Sequence, residues 1–319
     1  MFHLLAFLTM SIWGSTFVST KMLLANGLTP AAIFLLRFSM AYIGLSLVWL
    51  IRHRHPHYTP EGRGGRWFCR SWRDELGMLA AGLTGGSLYF LTENTALLMA
   101  MASNVSLIVC LSPLLTALLA IPLHTGERTD TSFWAGSLIA FTGVAFVSWG
   151  STHESGGAAP LIGNLLALTA AALWAVYQHV VRPLAQRYGT LMLTRKVFGY
   201  GLITIIPVVL SEPAEPWNAL RHPVVWGNLL FLGLVASLLC YAAWNVVVAR
   251  LGAIISANYI YLNPLVACLA SYLILGERLS PTMLIGGAAI LTGLYIVMKP
   301  KGKLFRNEFR THKHAQGGL

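Results

Sequence analysis

Charge is what this sequence has least of. Only 10% of its 319 residues are Asp, Glu, Lys or Arg, where an average soluble domain carries about 25%. So few charges cannot clothe a water-soluble surface. A soluble core also has no use for apolar runs of about 18 residues or more recurring along the whole chain. A soluble globular protein is therefore excluded, and the sequence reads as an all-α integral membrane protein. Cysteine is scarce too: Cys110, Cys240 and Cys268 fall in apolar runs and Cys69 in a basic loop. With no CxxC and no pairing framework, neither a disulfide nor a metal site is expected. There is no HExxH and no nucleotide-binding motif, which speaks against a zinc hydrolase and against ATP-driven pumping by this chain, and no cofactor is called for. No soluble signalling domain is attached, which speaks against a sensor. The N-terminal MFHLLAFLTM has neither a basic n-region nor a small-residue cleavage site, so it reads as a first span and not a removable signal.

What is present are ten apolar runs, near 2–21, 29–51, 75–98, 103–124, 132–149, 161–182, 191–210, 223–249, 253–275 and 281–298. Each is about long enough to cross the hydrocarbon as a helix. Ten spans put both termini on one side, and Lys and Arg choose which. With termini inside, eighteen of these cations fall in cytoplasmic segments, against Lys21, Arg221 and Arg278 outside and Arg37 within a span. The expected place is the plasma membrane, the inner membrane of a bacterium, with both termini cytoplasmic. The net charge of +11 sits in these loops and the tail, so it points to membrane lipid and not to nucleic acid. The loop from Arg52 to Arg73, with Trp67, Phe68 and Trp72, reads as a topology determinant with aromatic anchors; an interfacial helix on acidic headgroups is the alternative.

The chain repeats itself. Residues 111–147 and 262–297 share a proline (Pro113, Pro264), a Gly-Glu-Arg (126–128, 276–278), a glycine ten residues on (Gly136, Gly286) and a Thr-Gly (142–143, 292–293). Asn94 lies 19 residues before Pro113 and Asn245 the same distance before Pro264; Trp13 precedes Lys21 by eight residues, as Trp174 precedes Arg182. Each half holds five spans, an odd number, so the second half enters the membrane the other way up. Two inverted-topology five-helix repeats are the signature of secondary transporters that rock about a midplane site. The expected domains are 1–150 (spans 1–5), 151–298 (spans 6–10) and a basic cytoplasmic tail, 299–319.

The Trp13–Phe17 sequence WGSTF, Arg37-Phe38 in span 2 and the proline-to-Gly-Glu segments ending spans 4 and 9 together resemble the EamA family of the drug/metabolite transporter superfamily, over the chain up to about residue 298. The resemblance implies a ten-helix inverted-repeat fold and export of small metabolites, often amino acids. It also implies a cavity lined mainly by spans 1, 3, 4, 6, 8 and 9, with spans 5 and 10 peripheral.

Glu93 is the one acidic residue clearly inside a span, and an ionisable group there faces the protein interior or a water-filled cavity by default. Arg37, at a compatible depth in the outer half of span 2, is its natural partner. The pair is read as structural, as a proton-coupling site or as a direct substrate contact. Asn94 and Asn245 are either cavity lining or interhelical hydrogen bonds. Tyr241, Trp244 and Asn245 share one helical face, as do Trp174, Tyr177 and Gln178; aromatic rings beside an amide suit a small amphipathic solute, or simply pack. Trp13 and Thr16 of span 1 join the candidate pathway. Pro113 and Pro264 kink spans 4 and 9, with Asn104 before the first and Asn258, Tyr261 and Asn263 before the second. Small-residue faces, Gly136 with Ala140 and Ala289 with Gly293, predict close packing of spans 5 and 10. His179 reads as a buried hydrogen-bonding residue, and the Gly-Glu-Arg turns as helix C-caps. The expected function is export of a small organic metabolite, with uptake or headgroup flipping as the alternative, and a sensor or membrane enzyme behind those. The partners expected are a small-molecule substrate and lipid; a homodimer is left open.

Overall fold

The computed structural model describes residues 1–53, 68–120, 131–155, 159–212, 215–251, 259 and 262–298. Asn258, Tyr261, the Gly-Glu-Arg at 126–128, the loop between 53 and 68 and the 299–319 tail lie outside the described residues, as does the side chain of Asn245. Among the described residues every regular element is helical. Spans 1 and 2 are α1 (Phe2–Ala25) and α2 (Pro30–His53). Span 3 is two helices, α3 (Trp72–Gly82) and α4 (Leu88–Met99), joined by a π-helical segment, Leu83–Ser87. Span 4 is α5 (Ala102–Val109) and α6 (Ser112–Ala120). Then come α7 (Thr131–Ser155), α8 (Ala159–Tyr188) and α9 (Thr190–Ser211). Span 8 is α10 (Pro223–Leu230) and α11 (Cys240–Leu251), joined by the π segment Phe231–Leu239. The described part of span 9 is α12 (Leu262–Ala270) with a π turn, Ser271–Leu275, and α13 (Pro281–Met298) closes the series. Four helices, Phe2–Ala25, Pro30–Ile51, Ala159–Tyr188 and Thr190–Ser211, are long and apolar enough to cross a bilayer. This is a multi-pass membrane protein.

Local chemistry sets the element ends. Ser71 is extended and its hydroxyl accepts from the Arg73 N–H, while Asp74 and Glu75 occupy the first turn of α3, where carboxylates complement the helix dipole. Pro223 opens α10, where its missing N–H costs nothing. Gly276, at φ 67°, ends span 9 in the left-handed conformation, which glycine adopts without a Cβ penalty. Spans 3 and 8 read as unbroken in the sequence and the structure breaks both; span 4 breaks beside Pro113, where a kink is expected. In span 4 the break falls at Cys110–Leu111, just before Pro113. Proline there has no N–H for the Val109 carbonyl four residues back, and the Ser112 hydroxyl donates to that carbonyl instead.

Spans 5 and 10 pack through their glycines. A Cβ on Gly143 would lie 2.5 Å from the Gly286 carbonyl oxygen, and one on Gly286 would lie 2.7 Å from that of Gly143. One on Gly293 would strike the Gly136 carbonyl and lie 2.6 Å from the Ala140 nitrogen. In the sequence repeat Gly136 corresponds to Gly286 and Gly143 to Gly293. The two close approaches thus pair equivalent positions crosswise, as a two-fold axis between α7 and α13 would.

Candidate functional site

α2 and α4 bring the charges together. Along α2, Phe34, Arg37 and Phe38 turn inward; along α4, Tyr89, Phe90 and Glu93 do the same. Arg37 and Glu93 are only 6% and 7% exposed. The Arg37 Nε–H donates to the Ser237 hydroxyl at 2.7 Å, and its guanidinium carbon lies 5.2 Å from the Phe38 ring centre and 5.0 Å from that of Phe90. Those two faces supply cation–π attraction where water is excluded. Glu93 Oε1 accepts the Tyr89 hydroxyl at 2.8 Å, one turn back. Arg37 and Glu93 thus occupy the same part of the interior: Phe90, 5.0 Å from the guanidinium carbon, stands 4.7 Å from the Tyr89 ring whose hydroxyl Glu93 accepts. They do not form an ion pair within 4.0 Å among the described residues. Each has a neutral polar partner nearer to hand. Ser237 lies in the π segment of span 8, and a π-helical insertion is a frequent mark of a functional site.

Aromatic rings extend on either side of the charges. Trp13 donates its indole N–H to the Ala236 carbonyl of that π segment at 2.9 Å. Its ring stands 5.5 Å from Tyr241 and 5.6 Å from Trp244. Trp174, its equivalent in the repeat, lies 5.1 Å from Tyr89 and 4.9 Å from Tyr177. Phe198 bridges the two sides, 4.8 Å from Phe38 and 5.6 Å from Tyr241. Tyr177 packs against Gly85 in the π segment of span 3, so close that any Cβ there would strike its ring. The other candidates divide. The Thr16 hydroxyl bonds back to the Trp13 carbonyl, and Gln178 is exposed. Asn104 is 1% exposed and neither its side-chain oxygen nor its nitrogen has a partner. Asn263 Oδ1 is in the same condition, close to Gly14 of α1. His179 donates to the Thr116 carbonyl across spans 6 and 4.

Asn94 is engaged by the backbone: its Nδ2 donates to the Pro30 carbonyl at 3.0 Å, tying span 3 to the first turn of α2. An Asn94→Ala protein is therefore expected to lose about 1 kcal/mol of stability. Substrate affinity should be kept. Thermal unfolding alongside a transport titration checks this, and a tenfold rise in KM would place Asn94 in the pathway instead.

Three ion pairs occur among the described residues, and each joins residues 1–150 to residues 151–298: Asp74 with Arg187, Glu75 with Lys196, and Lys21 with Glu277. Glu75 also accepts the Tyr200 hydroxyl and the Cys69 N–H, and Asp74 the Tyr188 hydroxyl. Sequence reasoning took the Gly-Glu-Arg turn as a cap alone and missed Glu277. Its carboxylate accepts from the Ala102 N–H at 2.8 Å, the Ser103 hydroxyl at 2.7 Å and Lys21 Nζ at 3.1 Å. Burial pushes this carboxyl upward, but the Lys21 ammonium and the Ala102 and Ser103 donors outweigh it and hold the group below its ordinary value. Its contribution to stability is therefore full above the ordinary carboxyl range and fades as pH falls through the depressed value. The signal that could have found it is the repeat itself: the chain has only 11 acidic residues, yet it duplicates this one, and it duplicates a cation at Lys21 and Arg182.

The model of the EamA-like transporter family matches residues 1–149 and 161–299. The chain belongs to that family. Among relatives of this EamA-like chain, an "Uncharacterized transporter" of Archaeoglobus fulgidus is 28% identical over 295 residues, 92% of this chain and 96% of the relative. A protein of Streptantibioticus cattleyicolor named "Probable terminal-alkyne amino-acid exporter" is 28% identical over 292 residues, 91% of each chain. A solved crystal structure with 21% identity and a TM-score of 0.58, covering 93% of this chain and 96% of the other, has the same fold. The EamA-like family and these names point to a membrane transporter and not to an enzyme.

Proposed function

We propose that this EamA-like chain exports a small zwitterionic metabolite of the amino-acid class by alternating access between two inverted five-helix halves, residues 1–150 and 151–298. The observation that carries the reading is the crosswise pairing of Gly143 with Gly286 and of Gly136 with Gly293. Pairing of equivalent positions across one axis is what inverted repeats produce, and such repeats are the architecture of secondary transport. The matching π segments in spans 3 and 8, and the division of the family match between spans 5 and 6, support the same two-fold plan. The substrate class follows from the charges. Arg37 offers a guanidinium to a carboxylate, and Glu93 offers a carboxylate to an ammonium, beside the rings of Trp174 and Tyr241. The named exporter among the relatives agrees with that class, and the direction of net flux rests on the family. On this reading the chain sits in the inner membrane of a bacterium; the excess of Lys and Arg in the segments on the side of the termini supports a cytoplasmic location for both termini and the 299–319 tail.

The test is flux in proteoliposomes of the purified chain, screened with radiolabelled amino acids, their decarboxylated amines and their deaminated acids, with and without a pH gradient. Saturable flux of at least one amino acid, with little for the amine or acid of the same side chain, is the expected result. Equal flux of all three forms overturns the zwitterion reading. Flux no greater than in empty vesicles across the panel overturns transport of amino acids and favours a sensor.

A further inference from the structure

At the end of the bundle opposite the termini, one carboxylate holds three pieces of chain. Glu277 follows the left-handed Gly276, and its own N–H closes the π turn by bonding to the Ser271 carbonyl at 3.2 Å. The side chain then leaves the second half and enters the first. Oε1 takes the Ala102 N–H at 2.8 Å and Lys21 Nζ at 3.1 Å; Oε2 takes the Ser103 hydroxyl at 2.7 Å and the Ser103 N–H at 3.3 Å. Lys21 Nζ also donates to the Ala100 carbonyl at 2.7 Å, in the turn between α4 and α5. The residue preceding α5, Met101, makes no side-chain cap. The N-terminal N–H groups of α5 are thus capped by a carboxylate from the opposite half, placed where the helix dipole favours negative charge.

Two further features favour movement of α5 and of the end of span 9. Two of the three pieces lie beyond a break in their own spans: α5 is separated from α6 at Cys110–Leu111, and Glu277 follows the π turn Ser271–Leu275, while α1 runs unbroken. The joined conformation is also not fully satisfied. Asn104, one residue past Ser103 on α5, is buried with its whole amide unbonded, and Asn263 Oδ1 on α12 is buried and unbonded beside α1. Orphaned buried amides raise the free energy of the state that contains them, and a swing of α5 away from α12 offers them water.

We propose that Glu277 is the ionic latch of the gate on the face opposite the termini. Made, it holds α1, the α4–α5 turn and the end of span 9 together and shuts that face. The open state gives up its bonds to Lys21, Ala102 and Ser103. This rests on the alternating-access reading above, and it adds the residue that closes one side. The sequence repeat sets Arg182 and Glu127 at the positions of Lys21 and Glu277, so the same pair of charges is written a second time, again with one residue in each half.

The test reads accessibility and needs no substrate, so it stands even if no amino acid is carried. In a full-length chain with Cys69, Cys110, Cys240 and Cys268 replaced, Thr16→Cys reports on the interior face of α1. A membrane-impermeant maleimide is added from the face opposite the termini. Glu277→Gln is expected to raise the labelling rate about tenfold, because charge-assisted bonds to a buried carboxylate are lost. Lys21→Met, which leaves the caps on α5 in place, should raise it less, and Lys21→Arg should restore the slow rate. Should Glu277→Gln fail to fold, the comparison of Lys21→Met with Lys21→Arg decides alone. A lowered melting temperature with unchanged labelling overturns the proposal, because a purely structural tie would give that result. Acceleration only from the face of the termini overturns it as well.

Discussion

A Gly293→Val protein is expected to melt about 3–6 °C below the parent and to yield little monodisperse material. The added carbons would meet the Gly136 carbonyl and the Ala140 nitrogen, and both are backbone atoms in the middle of α7. A side chain can rotate out of the way; a helix backbone cannot, so α7 and α13 must part along their shared face. Overpacking of this kind costs about 1–3 kcal/mol, and in a chain of 319 residues each kcal/mol moves the midpoint by about 1.5 °C. Parting the helices also forfeits the packing of Val147, Ile290 and Leu294, all buried at this seam. Gly143→Val should do the same damage from the other side, at the Gly286 carbonyl and the Ile290 nitrogen. Gly227 on α10 is the control, since a Cβ there meets nothing within 4 Å; Gly227→Ala should be neutral or slightly stabilising through helix propensity. Thermal unfolding in detergent, read by monodispersity, settles the comparison. A Gly293→Val midpoint within about 2 °C of the parent would show that α7 and α13 do not need this contact, and with it would fall the two-fold pairing.

That seam was legible in the sequence because it rests on period and size: small residues four or seven apart on an apolar helix have few other uses. The four long spans, α1, α2, α8 and α9, were legible for a similar reason, since hydropathy averages over a window. The same averaging hides the breaks. A π segment changes which carbonyl each N–H reaches without changing the hydrophobicity of Leu83–Ser87 or Phe231–Leu239, so spans 3 and 8 read as unbroken. Proline announces the break in span 4, but not the Ser112 hydroxyl that satisfies the freed carbonyl. At the site, single-residue chemistry showed and pairing did not. Arg37 and Glu93 stand out as buried charges, and charge alone suggests that they touch. Their nearest partners are a serine 200 positions away and a tyrosine on the same helix, and neither is marked by composition. Asn94 and Asn245 share a position in the repeat, but only the fold shows that Asn94 is spent on the Pro30 carbonyl.

The second large effect belongs to Arg37 and Glu93 themselves. Arg37→Gln is expected to insert and fold, because the amide can still bond Ser237, and to lose amino-acid flux by about 10–100-fold. That is the range expected when one charge-assisted bond to a bound carboxylate is removed. Arg37→Lys should recover little of it. An ammonium has no planar fork to lie over Phe38 and Phe90 while pointing Nε at Ser237, and it is more strongly hydrated than a guanidinium. Glu93→Gln separates the roles left open for the carboxylate. The amide oxygen still accepts the Tyr89 hydroxyl, so the fold should be kept; on the zwitterion proposal the charge that would meet a substrate ammonium is lost, so KM should rise about tenfold or more. If Glu93 also carries the coupling proton, the variant's remaining flux no longer responds to a pH gradient. A scaffold role predicts none of this: Glu93→Gln would then transport with the parent's KM and pH response. Measured in the same proteoliposomes, that outcome would remove Glu93 from both substrate contact and coupling. Arg37 would then be left as a cation held by ring faces and Ser237 alone, with carboxylate selectivity to be sought elsewhere along the aromatic wall.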